Sequence, residues 1–265
     1  MKLKRVSPRT PVQLLDKHAT FEDAPDDEKL KKDTAKLVDS IGDIQRQFYA
    51  DGRFALLIVL QGRDASGKDG TIRKVFTGVN PQGVQVASFK VPTEEEQRHD
   101  FLWRVHQRVP ARGMIGIFNR SHYEDVIVTR VNGIIRKAVW EARYEQINAF
   151  EKQLSASGVR ILKFFLHVSH AEQLERLKKR LTNPEKNWKF NPGDLEERGK
   201  WDEYTAAYRD AIRRCSTREA PWYIVPADDK KVRNYLIART VADTLRSLKL
   251  RWPKADPDVL RKSDD

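Results

Sequence analysis

Five short apolar runs, separated by segments with helical periodicity, constrain the fold of this chain more than any other feature of its sequence. The runs occupy residues 54–60, 84–89, 114–118, 161–168 and 222–225. Strands that are apolar along nearly their whole length are typical of parallel sheets covered on both faces, and parallel strands need long crossover connections. The sequence therefore predicts an α/β fold in which helices sandwich a five-stranded parallel sheet.

The segments between the runs supply the helices that such a sheet requires. In the first of them, Leu37, Ile41, Ile44 and Phe48 recur at helical spacing. The predicted helices cover residues 27–50, 67–78, 93–108, 121–132, 136–157, 171–181, 200–215 and 231–249. Together with the strands they predict a single domain over residues 27–252, preceded by an extended N-terminal arm (1–26) and followed by a C-terminal tail (253–265).

One basic segment departs from this alternation. Residues 183–200 contain two prolines and two glycines, so we expect them to be largely loop. A long loop in a compact domain is usually a lid or a binding loop. With the helix before it, the predicted lid spans residues 176–200 and carries eight cations: Arg176, Lys178, Lys179, Arg180, Lys186, Lys189, Arg198 and Lys200.

Charge and cysteine content limit the class of partner and the compartment. The formal net charge is +12 over 265 residues, and a field of this sign attracts polyanions without choosing among them. The single cysteine, Cys215, cannot form an internal disulfide, so we expect a cytoplasmic protein. No apolar run is long enough to span a bilayer, and we expect no membrane association.

A glycine-rich loop follows the first predicted strand and opens the next predicted helix. Its sequence is Gly62-Arg63-Asp64-Ala65-Ser66-Gly67-Lys68-Asp69-Gly70-Thr71. This is the G-x-x-x-x-G-K core of a P-loop, in which backbone N–H groups and the helix N-terminus bind phosphate. We predict that Gly62, Ala65, Ser66, Gly67 and Gly70 surround the phosphates. Lys68 supplies a full positive charge to the transferred group.

Two carboxylates lie inside this loop and change its expected metal chemistry. The position after Lys68 usually holds a Ser or Thr that binds Mg²⁺, but here it is Asp69. An acid beside phosphate is repelled unless a cation lies between them. We therefore predict Mg²⁺ bound by a carboxylate, with Asp64 as the ligand. Asp69 either faces the phosphates or caps the helix.

A second polar cluster follows the third predicted strand: Asn119-Arg120-Ser121-His122-Tyr123-Glu124-Asp125. Open α/β sheets bind ligands beyond the carboxyl ends of their strands. There, Arg120 can bridge phosphate oxygens and Glu124 can hold a metal or accept a proton. The alternative for Glu124 and Asp125 is compensation of the helix dipole. We also predict a ligand role for Lys90, while Arg130 either reaches a nucleotide phosphate or pairs with Glu124.

These segments together resemble the polyphosphate kinase 2 family. Residues 60–70 look like its Walker A region, 118–126 like its Walker B region, and 220–223 like a later strand. The segment 183–190, followed by Asp194 and Leu195, is similar to its lid. The resemblance extends from about residue 30 to residue 252.

This resemblance implies a thymidylate-kinase-like fold and Mg²⁺-dependent, reversible phosphoryl transfer between polyphosphate and nucleoside phosphates. It implies catalytic roles for Asp64, Lys68 and Arg120. Many members carry Asp where this chain has Asn119, and because Asn cannot act as a base, we expect Glu124 to take over metal binding or activation of the acceptor. The pattern looks most like the class III members, which use AMP and ADP. The residues expected to hold polyphosphate are the loop residues with Asp69, Arg176, Arg180 and Lys186; those expected to hold nucleotide are Lys90, Asn119, Asp125 and Arg130.

Two other functions compete with this interpretation. An ATP-dependent nucleoside monophosphate kinase has the same fold, but the basic lid and Asp69 argue against it. A nucleic-acid-binding protein accounts for the charge, yet the chain lacks a nucleic-acid-reading motif and the P-loop is left unexplained. The expected partners are polyphosphate and AMP, ADP and ATP, with guanine nucleotides as further candidates. We expect no nucleic acid, and a homodimer or homotetramer.

Overall fold

A computed structural model describes residues 1–189 and 191–254 of the chain. Within these residues, five strands form one parallel sheet with the order β2-β3-β1-β4-β5. The strands are β1 (Ala55–Gln61), β2 (Val84–Ser88), β3 (Ile115–Asn119), β4 (Val159–His167) and β5 (Trp222–Pro226). The predicted α/β class and all five predicted strands are confirmed.

The sheet order brings the two polar clusters of the sequence together. The central strand β1 pairs with β3 on one side and β4 on the other, and Leu60 lies opposite Asn119 in the β1–β3 register. The P-loop leaves the carboxyl end of β1, and the 119–125 segment leaves the carboxyl end of β3. The two segments are therefore neighbours at one edge of the sheet, as expected for ligand binding in an open α/β fold.

Helices cover both faces of the sheet, and successive residues of β1 show how. Leu57 and Val59 pack in a cluster with α5, α6 and α9, whereas Leu56 and Ile58 pack with α1, α2 and α10. Alternate residues of a strand point to opposite faces, so a strand buried on both faces must be apolar throughout. The helices of the described residues are α1 (Asp27–Asp51), α2 (Lys68–Val75), α3 (Glu94–Gln97), α4 (Trp103–His106), α5 (Glu124–Val131), α6 (Lys137–Ala156), α7 (His170–Thr182), α8 (Gly193–Gly199), α9 (Trp201–Cys215) and α10 (Lys230–Ser247).

The prediction of a single helix over residues 93–108 is wrong. The structure has two short helices there, α3 and α4, separated by a turn. In that turn the Asp100 carboxylate accepts a hydrogen bond from the Leu102 N–H at 2.9 Å, and the His99 and Trp103 rings stack with centroids 4.0 Å apart. An Asp side chain that bonds a nearby N–H competes with the helical ladder, which explains the break.

The prediction that residues 183–200 are largely loop is also wrong in its second half. The helix α8 begins directly after Pro192, whose backbone already has helical angles of φ −51° and ψ −35°. Asn191 supports this start, because its side-chain oxygen accepts the Gly193 N–H at 3.0 Å. Proline is favoured at the start of a helix. Pro192, which suggested a loop in the sequence, therefore stands at the start of a helix instead. Phe190, within the segment that carried the family resemblance, lies outside the described residues.

The N-terminal arm lies against the domain. The Val6 N–H donates to the Trp222 carbonyl at 2.9 Å, and Val12 and Leu14 are buried. Cys215 is buried with a free thiol. Among the helices of residues 1–189 and 191–254, none is long and apolar enough to cross a membrane. The predicted C-terminal tail lies outside the described part of the chain from residue 255 onward.

Candidate active site

The P-loop depends on two glycines with positive φ. Gly62 has φ 153° and Gly67 has φ 102°, in the region that favours glycine. A Cβ on Gly62 would lie 2.8 Å from the Leu166 carbonyl oxygen, and a Cβ on Gly67 would collide with the Arg233 guanidinium. A side chain at position 62 would therefore displace the loop from β4, and one at position 67 would displace the Arg233 guanidinium.

Lys68 is curled back over the loop. Its ammonium group donates to the carbonyl oxygens of Gly62 at 2.6 Å and Arg63 at 3.1 Å, and the side chain is buried. Burial and the nearby Arg120 cation lower the pKa of Lys68, while Asp64 and Glu124 oppose this shift. A cation in this position can follow a phosphoryl group without leaving the loop.

Arg120 connects the P-loop to the start of α5. Its guanidinium lies 2.7 Å from the Asp64 carboxylate and 3.8 Å from the Glu124 carboxylate. Arg120 itself has φ 62°, a costly backbone conformation for a residue with a Cβ and one that is common at functional sites. The three residues predicted from two separate motifs thus form one charged group.

The charges in this group shift one another's pKa. Burial works against the Arg120 cation, but Glu124 and Asp64 outweigh it and raise the pKa of Arg120. Burial would also raise the pKa of Asp64, yet Lys68 and Arg120 lower it overall. For Glu124, burial prevails over Arg120 and Lys68, so the pKa of Glu124 is raised. The site thus shifts the pKa values of its two carboxyl groups in opposite directions, down for Asp64 and up for Glu124.

The lid closes over this group with side chains of both charges. Arg180 lies 2.8 Å from Asp194, at the start of α8. The pocket beside Asp64 is also lined from the lid by Glu197 and Arg198, and from α9 by Trp201, Tyr204 and Tyr208. Burial and the neighbouring Asp64 raise the pKa of Glu197. Sequence reasoning missed Glu197, because it expected only cations of the lid to face the site.

Arg63 joins the loop to the start of α9, directly after the lid, and was also missed. Its guanidinium lies 3.6 Å from the ring centroid of Trp201 and donates to the Trp201 carbonyl at 2.9 Å. It also contacts the Thr205 hydroxyl. Burial lowers the pKa of Arg63 to about 10. Arg63 occupies a variable position of the P-loop pattern, so the motif itself could not single it out.

Arg176 lies behind the P-loop and not in the pocket. All five of its N–H groups are used: they donate to the carbonyls of Ala65, Ser66, Ala227 and Asp228 and to the Glu172 carboxylate, at 2.7–3.1 Å. The polyphosphate contact predicted for Arg176 would require these bonds to break. These bonds indicate that Arg176 holds the P-loop backbone in place from the side away from the pocket.

Two of the predicted nucleotide ligands do not line the pocket beside Asp64. Arg130 neither lines this pocket nor pairs with Glu124 as expected; it forms an ion pair with Asp210 at 2.8 Å. Asp125 is buried, with its carboxylate 3.6 Å from Arg104 and 3.7 Å from Arg143. These pairings occupy both side chains within the protein.

The remaining predicted residues lie around the rim. Asn119 donates its amide to the Asp69 carboxylate at 2.8 Å, which links the two motifs at their exposed edge. The N-cap of α2 is Gly67, and Asp69 lies in the first turn of that helix. Lys90 and Lys186 are exposed, and neither lines the pocket beside Asp64.

A fully buried polar network supports the segment that carries Arg120 and Glu124. The Lys163 ammonium donates to Glu151 at 2.5 Å, to the Tyr123 hydroxyl at 2.9 Å and to the Cys215 carbonyl at 2.5 Å. Glu151 also accepts from Tyr123 at 2.9 Å and contacts the His122 ring at 3.2 Å. Burial would raise the pKa of Glu151, but Lys163 and His122 lower it. The network ties α6, β4 and the end of α9 to the turn before α5.

The oxygen donors of the site suit a hard divalent cation. Arg120 contacts Asp64 through one terminal nitrogen and Glu124 through the other, and the described residues contain no group of three or more His, Cys, Asp or Glu placed to hold a metal. Mg²⁺ is usually held by one or two carboxylates together with substrate phosphates and water, so it needs no larger protein cluster. Asp64 and Glu124 therefore fit Mg²⁺ brought in with a phosphate substrate.

Comparison with known proteins identifies the family. Residues 24–252 match the model of the polyphosphate kinase 2 family. The AMP/ADP-polyphosphate phosphotransferase of Meiothermus ruber is 54% identical over 213 residues, 80% of either chain. The ADP-polyphosphate phosphotransferase of Rhodopseudomonas palustris is 46% identical over 232 residues, 83% of this chain and 80% of the relative. The crystal structure of polyphosphate kinase 2 from Arthrobacter aurescens TC1 superposes with a TM-score of 0.87 at 42% identity, covering 91% of this chain and 87% of that one. The chain belongs to the polyphosphate kinase 2 family.

Proposed function

We propose that this protein transfers phosphoryl groups between inorganic polyphosphate and the adenine nucleotides AMP and ADP. One observation carries the proposal: Lys68 and the Asp64–Arg120–Glu124 group converge at the P-loop, beneath a basic lid. The relative from Meiothermus ruber is named for both AMP and ADP, and that from Rhodopseudomonas palustris for ADP. The greater similarity to the former supports the use of both acceptors.

Catalysis of this transfer mainly requires the protein to align two anions and to offset the electrostatic repulsion between them. The acceptor is a phosphate, which is already an anion, so transfer to it does not depend on a strong general base. The P-loop amides and Lys68 hold the donor phosphates, and Arg120 bridges the oxygens of donor and acceptor. Arg180 and Lys186 of the lid bind further phosphates of the polymer. Arg63, stacked on Trp201, holds the start of α9, where the lid ends, against the loop and excludes water.

Asp64 and Glu124 would hold Mg²⁺ in this site. The ion supplies positive charge that neutralises the charge developing on the transferred group. Before a metal arrives, Arg120 keeps the Asp64 carboxylate charged and oriented. Burial raises the pKa of Glu124, and a divalent cation bound beside it would lower that pKa and favour the charged carboxylate.

The nucleotide lies at the outer rim in this proposal. Asn119 and Lys90 are the candidates for direct contact, while Asp125 and Arg130 act through the ion pairs that fix α5. Guanine nucleotides are further acceptors to test, and a homodimer or homotetramer is the proposed assembly. A cytoplasmic location fits substrates of this kind and a single free cysteine.

The proposal is tested by incubating the purified protein with polyphosphate and Mg²⁺ and, separately, with AMP, ADP, GMP or GDP. We expect ADP and ATP to form from the adenine acceptors, and chelation of Mg²⁺ to stop the reaction. The control is Lys68→Ala, which should keep its circular dichroism spectrum and lose transfer. Phosphorylation of AMP from ATP in the absence of polyphosphate, with no transfer from the polymer, would assign the protein to nucleoside monophosphate kinases instead.

A further inference from the structure

A groove lies at the amino-terminal ends of the strands, whereas the P-loop lies at their carboxyl ends. Its volume is about 870 Å³, and it is bounded by the amino-terminal ends of β1, β4 and β5, the N-terminal arm and the second half of α10. The strand β1 has seven residues, which at about 3.3 Å per residue separates the groove from the P-loop by about 20 Å. The groove is therefore a separate site on the same domain.

Four cations from separate chain segments line the groove. Lys2 and Arg5 come from the N-terminal arm, Arg160 from β4, and Arg218 from the turn before β5. Arg160 is the only exposed residue of β4, a strand that is otherwise buried. The antiparallel bridge between Arg5 and Tyr223 fixes the arm beside the sheet. The cations thus converge because of the fold and not because they are close in sequence.

Three of these four cations carry a guanidinium group. Among the described residues, no carboxylate forms an ion pair with Arg5, Arg160 or Arg218. The Nε–H of Arg5 donates to the Tyr223 hydroxyl at 3.1 Å, and the Arg160 guanidinium lies 5.3 Å from the Phe54 ring centroid. Their remaining N–H groups can form paired hydrogen bonds to phosphate oxygens.

The two acids of the groove do not balance this charge. Asp243 lies 4.0 Å from Lys2 and is also within 3.7 Å of Arg239 and 3.6 Å of Arg246. Its negative charge is therefore shared among three cations. Glu219 is exposed on the rim. Guanidinium groups on the wall of a groove with a positive balance favour an anion with many phosphates.

We propose that this groove binds inorganic polyphosphate at a second site, as an anchor for long chains. The proposal rests on the proposed function for the identity of the polymer. A chain held at the P-loop and long enough to reach the groove makes its second contact within one complex, so the groove raises the affinity for long chains only. Short chains bind at the P-loop alone.

The test variant is Arg160→Gln/Arg218→Gln, which removes two exposed charges from the groove. Its matched control is Lys32→Gln/Lys36→Gln, which removes two exposed charges from α1. Equilibrium binding of end-labelled long polyphosphate is measured without nucleotide, so the result does not depend on turnover. We expect binding of the groove variant to weaken about fivefold, as for two exposed charge contacts, and that of the control by less than twofold.

Steady-state kinetics give the second readout. The groove variant should show a raised KM for long polyphosphate, with an unchanged KM for chains of a few phosphates and an unchanged kcat. High salt should shrink the difference from wild type. Equal binding of long polyphosphate by the groove variant and the control overturns the proposal, and so does weakened binding of ATP with polyphosphate binding intact. If the wild-type protein binds the polymer but transfers no phosphate, the proposed function is contradicted. The second site is then still tested by comparing how tightly the groove variant and the control bind long polyphosphate.

Discussion

The buried Lys163–Glu151 pair gives the sharpest prediction about stability. Replacing Lys163 with Met removes three donated hydrogen bonds and leaves the Glu151 carboxylate in a fully buried position. Its remaining partners are the Tyr123 hydroxyl and the His122 ring. Breaking one side of a buried ion pair costs about 3–5 kcal/mol, since the other charge stays desolvated. We expect Lys163→Met to lose that much of its free energy of unfolding.

Removing both charges should cost less than removing one. The double variant Glu151→Leu/Lys163→Met replaces the pair with apolar side chains of similar size, and such replacements are often close to neutral. Urea unfolding at neutral pH, followed by circular dichroism, measures Lys163→Met, Glu151→Leu and the double variant in a double-mutant cycle. A loss below about 1 kcal/mol for Lys163→Met would refute the reasoning, as would strictly additive effects of the two replacements.

The other predictions concern pH and the active site. The folded state lowers the pKa of Glu151, so the charged Glu151 stabilises the protein fully above about pH 4.5. This stabilisation is lost as the pH falls through the pKa of Glu151 in the folded state. The difference in free energy of unfolding between wild type and Glu151→Gln should therefore narrow in acid, and a difference that stays constant with pH would contradict this. Arg120→Ala should lower kcat by about 10²–10³ without unfolding the protein, and retention of wild-type kcat would remove Arg120 from the mechanism. Arg63→Leu should loosen the lid, so that limited proteolysis of residues 183–189 becomes faster and KM for polyphosphate rises; unchanged cleavage would show that the contact with Trp201 does not hold the lid.

The parallel sheet could be predicted because burial on both faces leaves a continuous apolar signal in the sequence. The P-loop could be predicted for a related reason: Gly62 and Gly67 are needed where backbone approaches backbone or Arg233. The helix break at residues 98–102 left no such signal. The break depends on the hydrogen bond from the Leu102 N–H to the Asp100 carboxylate. The spacing of apolar residues does not predict whether that bond forms.

Side-chain roles in the lid were harder to predict than its position. Arg176 and Arg180 lie one helical turn apart on a basic helix, and local sequence gives both the same expectation. The structure turns Arg176 under the P-loop and Arg180 toward α8. Which way a helical arginine points depends on how α7 packs against the P-loop, and this is tertiary information. Arg63 shows the converse, since its role requires Trp201 from a segment more than a hundred residues away.

The central claim is that Lys68 and its neighbours move phosphate directly from the polymer to a nucleotide. Radiolabelled polyphosphate, unlabelled AMP and Mg²⁺ test it in a single turnover, with label in the nucleotide as the measured quantity. We expect labelled ADP from wild-type protein and none above background from folded Lys68→Ala. Labelled ADP from Lys68→Ala at the wild-type rate would contradict it.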